Sequence, residues 1–115
     1  MPTYTALSKY TLMWLYVMFD LPVQTKSQRK SAARFRKDLL KDGFSMLQFS
    51  VYVRHCASHE SGAVHINRVR NFVPPEGMVS VIKVTDRQFA DMINIVGRRQ
   101  NPPRNRRFNS NFFKK

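Results

Sequence analysis

A chain of 115 residues, 43% apolar and 12% aromatic, forms a single domain with a modest core and is not wholly disordered. Its 20 Lys plus Arg outweigh 7 Asp plus Glu, and the net charge of +13 points to nucleic acid or an anionic membrane as partner. The lone cysteine, Cys56, excludes a disulfide framework and fits a reducing cytoplasm.

Residues 1–11 are a polar lead-in. From Leu12 to Asp20 the chain is apolar and rich in strand formers such as Leu15, Tyr16, Val17 and Phe19, and Pro22 stops the strand. The run is far shorter than the roughly 20 residues needed to span a bilayer. Nor is it a secretory signal: Lys9 is the only base before it, and Asp20 and Pro22 stand where small residues should be. The membrane reading is therefore the weaker one. Asp20 is carried to the lip of a sheet in a basic protein, where a divalent metal could meet a phosphate. The competing role for Asp20 is to cap the turn or helix that follows.

Gln24 to Asp42 reads as a helix, capped by Thr25 or Ser27, with Gly43 in the left-handed position beyond its end. Lys26, Lys30, Arg34, Lys37 and Lys41 fall within roughly 80° of arc, and Ala32, Phe35 and Leu39 face the other way. With Arg29 and Arg36 the helix carries many bases, against only Asp38 and Asp42, both expected in solvent. A stripe of like charge repels itself unless a polyanion neutralises it, so the stripe, with Arg29 beside it, is read as a nucleic-acid contact rather than an ordinary solvated face.

Phe44 to Cys56 is extended, and its alternation slips at Leu47-Gln48-Phe49, predicting two short strands or a bulge. Ser58 caps a second helix, with Ala63, Ile66, Val69 and Phe72 at helical spacing and Pro74-Pro75 ending it. Glu60 lies in its first turn, and Glu76 in the turn that follows it. Met78 to Thr85 is a strand, Asp86 to Phe89 one helical turn that Asp86 caps, and Met92 to Val96 a last strand ending at Gly97. His55, Cys56, His59 and His65 do not read as a zinc set, because neighbours in extended chain point to opposite faces and no second cysteine exists.

The order βαββαβ is the ferredoxin-like plan, an α+β fold with two helices on one face of an antiparallel sheet, here over residues 12–97. The extra strand needs an edge to pair with, and pairing across a two-fold axis predicts a homodimer. Residues 98–115 form a tail with Arg98 and Arg99 followed by Phe108, Phe112 and Phe113 among further bases. The arginines suit phosphates. The phenylalanines suit a groove on a partner protein, and that is the favoured role for them.

Phe19-Asp20-Leu21-Pro22 at a strand end, then a basic helix, then Gly43-Phe44 leading into Gln48-Phe49-Ser50-Val51-Tyr52, resembles the CRISPR-associated Cas-two family from about Leu12 to Gly97. With its Trp14-containing first strand and basic tail, the chain looks like the short form found beside a large single effector nuclease. The resemblance implies a homodimer that bridges two dimers of the Cas-one integrase and helps insert foreign double-stranded DNA into a CRISPR array. It also implies a metal-dependent nuclease activity in some members, with Asp20 as magnesium ligand. Two Asp20 side chains facing each other across a two-fold axis could share one ion, and their mutual repulsion would make the ion bind better as pH rises. Two-metal nucleases use clusters of carboxylates, so a site this poor in ligands implies slow hydrolysis secondary to DNA scaffolding. The alternative is a toxin-type endoribonuclease on the same dimeric scaffold. A plain RNA-binding module is disfavoured, because the RNP-type surface aromatics are absent.

Overall fold

The computed structural model describes residues 12–97. Strand β1, Met13–Asp20, occupies an interior position of the sheet and has apolar side chains on both faces. Met13, Leu15, Val17 and Phe19 are buried on one side, and Trp14, Tyr16 and Met18 are half-buried on the other.

Helix α1, Lys26–Lys41, starts at a reciprocal cap. The Thr25 hydroxyl accepts from the Gln28 N–H at 3.0 Å, and the Gln28 side chain accepts from the Thr25 N–H at 3.0 Å. It ends with Gly43 at φ +92°, where the Phe44 N–H donates to the Leu39 carbonyl and the Gly43 N–H to that of Leu40. That pair of bonds is a Schellman motif, and its left-handed residue explains the glycine. The slip expected near Leu47 is a bulge: β2, Ser45–Gln48, pairs with β3, Val51–Cys56, and the register shifts between Met46 and Gln48.

Helix α2, His59–Phe72, is capped by Ser58, but its inner stripe differs from the expected one. Gly62, His65 and Val69 are buried, whereas Ala63 is exposed. The helix is rotated so that its glycine faces β1. A Cβ at Gly62 would already lie 3.0 Å from the Met13 sulfur, so the small residue sits at the closest approach. Strand β4, Met78–Thr85, and the short helix α3, Asp86–Ala90, complete the described fold.

The sheet is antiparallel throughout, in the order β2-β3-β1-β4. This is the ferredoxin-like arrangement. Helices α1 and α2 cover one face through Phe35, Leu39 and Val69, which pack on Leu15, Val17 and Phe19. On the other face Leu47, Val53 and Phe89 form a second cluster with Trp14, Tyr16 and Met92. There Phe89 lies flat on Trp14, ring centroids 3.8 Å apart.

One expectation is corrected here, and another rests on a second copy of the chain. Met92 to Val96 forms no strand in the described chain: Met92 turns back onto the Tyr16 hydroxyl at 3.2 Å, and Ile93 and Ile95 stand 81% and 91% exposed. A strand needs a ladder partner, and none of the described residues supplies one to this segment. The cap of α3 is Thr85 rather than Asp86, with Gln88 closing a second reciprocal cap.

Candidate nucleic-acid interface and strand-end carboxylate

Lys26, Lys30, Arg34, Lys37 and Lys41 are all exposed on α1, opposite the buried Ala32, Phe35 and Leu39. No ion pair engages any of them among the described residues. A shallow groove of about 620 Å³ along the helix is lined by Lys30, Arg34, Lys37 and Lys41, with Asp38 as its one acid. The ridge is thus a row of uncompensated positive charge on a rigid rod. Arg29 points elsewhere: its Nη1 donates to the carbonyls of Val23 and Gln24, both at 3.1 Å, and holds the β1–α1 loop.

Asp42 does not belong with the solvated acids. Its side chain is only 5% exposed. The Oδ2 atom lies 2.7 Å from His65 Nδ1, and Oδ1 accepts from Arg68 Nη1 at 2.8 Å. Its main-chain carbonyl accepts from Arg54 Nε at 2.8 Å. One residue at the end of α1 therefore ties that helix to α2 and β3. An acid expected to be free to neutralise the ridge is committed to the fold.

Asp20 ends β1 opposite Met78 of β4, exposed, with no hydrogen bond or ion pair to its carboxylate among the described residues. No described residue occupies its lone pairs. The backbone beside it is tightly built: Gly77 has φ +103°, and a Cβ there would lie 2.7 Å from Leu21 Cδ2 and 2.8 Å from the Asp20 carbonyl. Gly77→Ala should cost about 1–3 kcal/mol, the usual scale of a forced backbone conformation. Urea denaturation checks this, and a variant as stable as the parent contradicts it. Nearby, Gln28 Nε2 donates to Glu76 Oε1 at 2.8 Å and ties the first turn of α1 to the turn before β4.

Among the described residues no group of three or more His, Cys, Asp or Glu side chains is placed to hold a metal ion. His55 instead lies 3.1 Å from Asp86 Oδ1, and Cys56 is buried in the main core. Burial pushes the Cys56 thiol up, with the Arg54 charge and the Ser61 hydroxyl opposing and Asp42 adding to the rise. The folded chain therefore keeps the thiol proton more firmly than the unfolded chain. Its contribution to stability is full below the ordinary thiol range and falls as pH rises through it. Cys56 should resist alkylation at neutral pH until urea unfolds the chain, as a mass shift would show, and rapid labelling of the folded form contradicts this.

The family model for CRISPR associated protein Cas2 matches residues 13–92, which include Asp20 and the whole ridge. The chain belongs to the Cas2 family. A relative from Flavobacterium psychrophilum, named CRISPR-associated endoribonuclease Cas2, is 49% identical over 96 residues, 84% of each chain. One of the same name from Parvibaculum lavamentivorans is 51% identical over 90 residues, 78% of this chain and 89% of its own. A solved structure described as a crystal structure of Cas2 aligns with TM-score 0.55 at 23% identity, covering 80% of this chain and 94% of its own. At that identity the likeness speaks to the fold. The tail residues Arg98, Arg99, Phe108, Phe112 and Phe113 lie beyond the Cas2 match and outside the described residues.

Proposed function

We propose that this chain is the homodimeric, DNA-bridging subunit of a CRISPR adaptation complex, joining two dimers of the Cas-one integrase in the cytoplasm. The observation that carries the reading is the ridge of Lys26, Lys30, Arg34, Lys37 and Lys41, exposed on one rigid helix and without an ion pair among the described residues. Such a row binds phosphates of duplex DNA with little regard to sequence and releases counterions as it does so. The exposed Ile93 and Ile95 support pairing with a second copy, since an unpartnered apolar segment beside a sheet is an aggregation hazard. The tail's arginines add phosphate contacts and its phenylalanines dock on the integrase. No described helix is long and apolar enough to cross a membrane.

Magnesium fits this chain as one ligand per subunit, the Asp20 carboxylate, so a usable site needs the second copy's Asp20 as well. A magnesium ion held there would polarise a phosphoryl oxygen. The chain's own part is to hold a ligand at a strand end and bring the phosphate backbone to it with the ridge. Slow endonuclease activity follows, subordinate to scaffolding. The relatives' names give an RNA-cutting role as the second reading. Titration of duplex DNA binding against salt tests the main one: affinity should fall steeply and equally for unrelated sequences. Salt-independent binding, or binding of RNA alone, contradicts it.

A further inference from the structure

The two-residue connection from β2 to β3 carries the most exposed aromatic ring among the described residues, Phe49, at 73%. A lone exposed phenylalanine is ordinary. What sets Phe49 apart is the group beside it. The Arg36 guanidinium carbon lies 4.9 Å from the Phe49 ring centroid and 5.9 Å from that of buried Phe19. Arg36 Nε is buried with no hydrogen-bond partner, and no carboxylate pairs with Arg36 among the described residues. The turn itself is anchored, because the Phe19 N–H donates to the Ser50 carbonyl at 3.1 Å. A positive charge left uncompensated and pressed against an aromatic ring at the surface is suited to an anionic, planar ligand.

We propose that the open face of Phe49, backed by Arg36, stacks an unpaired nucleobase at a single-stranded end of nucleic acid held along α1. In a duplex the bases stack on one another, so only an overhang, a frayed end or a free strand offers a bare π-face to the ring. Arg36 precedes the ridge residue Lys37 and lies about 100° around the helix from it, so a strand leaving the ridge reaches the ring over this flank. Its guanidinium then serves two purposes, stacking on Phe49 and meeting the phosphate of the flipped nucleotide. The inference rests on the phosphate-binding reading of α1 and adds to it a site that recognises strandedness.

The test uses the full chain with two duplexes of equal paired length, one blunt and one bearing a short overhang that contains 2-aminopurine. The parent should prefer the overhang and quench the 2-aminopurine. Phe49→Ala should weaken overhang binding about five- to hundredfold and abolish the quenching, the range seen for base–aromatic stacking. Blunt-duplex binding should not change, and Phe49→Tyr should behave as the parent, which guards against a folding defect in the alanine variant. Phe49→Ala that binds and quenches like the parent overturns the proposal. So does an equal loss on both duplexes, or a loss of integrase capture with oligonucleotide binding intact, which would make the ring a protein contact. If the parent binds the blunt duplex with strong salt dependence but shows no overhang preference, this inference alone fails. If it binds neither duplex, the phosphate reading of α1 fails with it.

Discussion

Asp42→Ala should lower folding stability by about 1–3 kcal/mol, the cost of leaving a buried hydrogen-bonding group without its partner. The carboxylate is 5% exposed and sits between His65 of α2, itself 8% exposed, and Arg68. Truncation leaves the His65 ring nitrogen inside the protein facing a void, and the α1 C-terminus loses its side-chain tie to α2. The Arg54 bond to the residue 42 carbonyl survives, because it is made to main chain. Asp42→Asn keeps the shape and should recover part of the loss. Arg68→Ala should cost less than about 1 kcal/mol, since that side chain is 56% exposed and its pairing is screened by water. A domain of this size has about 5–15 kcal/mol in total, so the alanine variant should unfold at markedly lower urea. Equal urea midpoints for the Asp42→Ala and Arg68→Ala variants would show that the cluster does not hold the helices together.

Neutralising Lys26, Lys30, Arg34, Lys37 and Lys41 together should reduce duplex affinity by orders of magnitude at low salt. Every phosphate that is no longer neutralised flattens the log–log salt dependence by about 0.9, so five such phosphates remove about 4.5 from the slope. Folding should be untouched or slightly favoured. All five side chains are exposed, none makes an ion pair among the described residues, and removing like charges three and four residues apart relieves repulsion along the helix. The drop in affinity should be the same for unrelated sequences, because phosphates carry no base identity. An unchanged slope with a folded variant would return the ridge to an ordinary solvated face.

Much of this was legible in the sequence because the governing signals are local. The β1 run, the Thr25 cap, Gly43 and the bounds of β4 follow from neighbouring residues, and the alternation slip at Leu47 marks the bulge. The role of Asp42 was not legible, since its partners His65 and Arg68 lie 23 and 26 residues away and no local pattern links them. One signal was overlooked: His65 stands four residues before Val69, on the same helical face, which places it in the core. The choice of Gly62 over Ala63 for the inner stripe depends on how closely α2 approaches Met13, a tertiary fact. Thr85-x-x-Gln88 carried the pattern of a reciprocal cap, and it outcompetes Asp86 because Asp86 faces His55. The Arg36–Phe49 contact joins α1 to a turn across the sheet edge and has no counterpart in spacing.

Asp20 separates DNA scaffolding, the main role we propose for this chain, from any hydrolysis, which is secondary. Asp20 is exposed at the end of β1 with no partner to lose among the described residues, so Asp20→Asn should fold and bind duplex DNA as the parent does. The decisive measurement is integration of a double-stranded fragment in a reaction reconstituted with the Cas-one integrase, run beside a magnesium-dependent cleavage assay. If scaffolding is the main role, integration stays near the parent level while no magnesium-dependent cleavage remains. Loss of integration by a folded Asp20→Asn protein that still binds duplex DNA would contradict it.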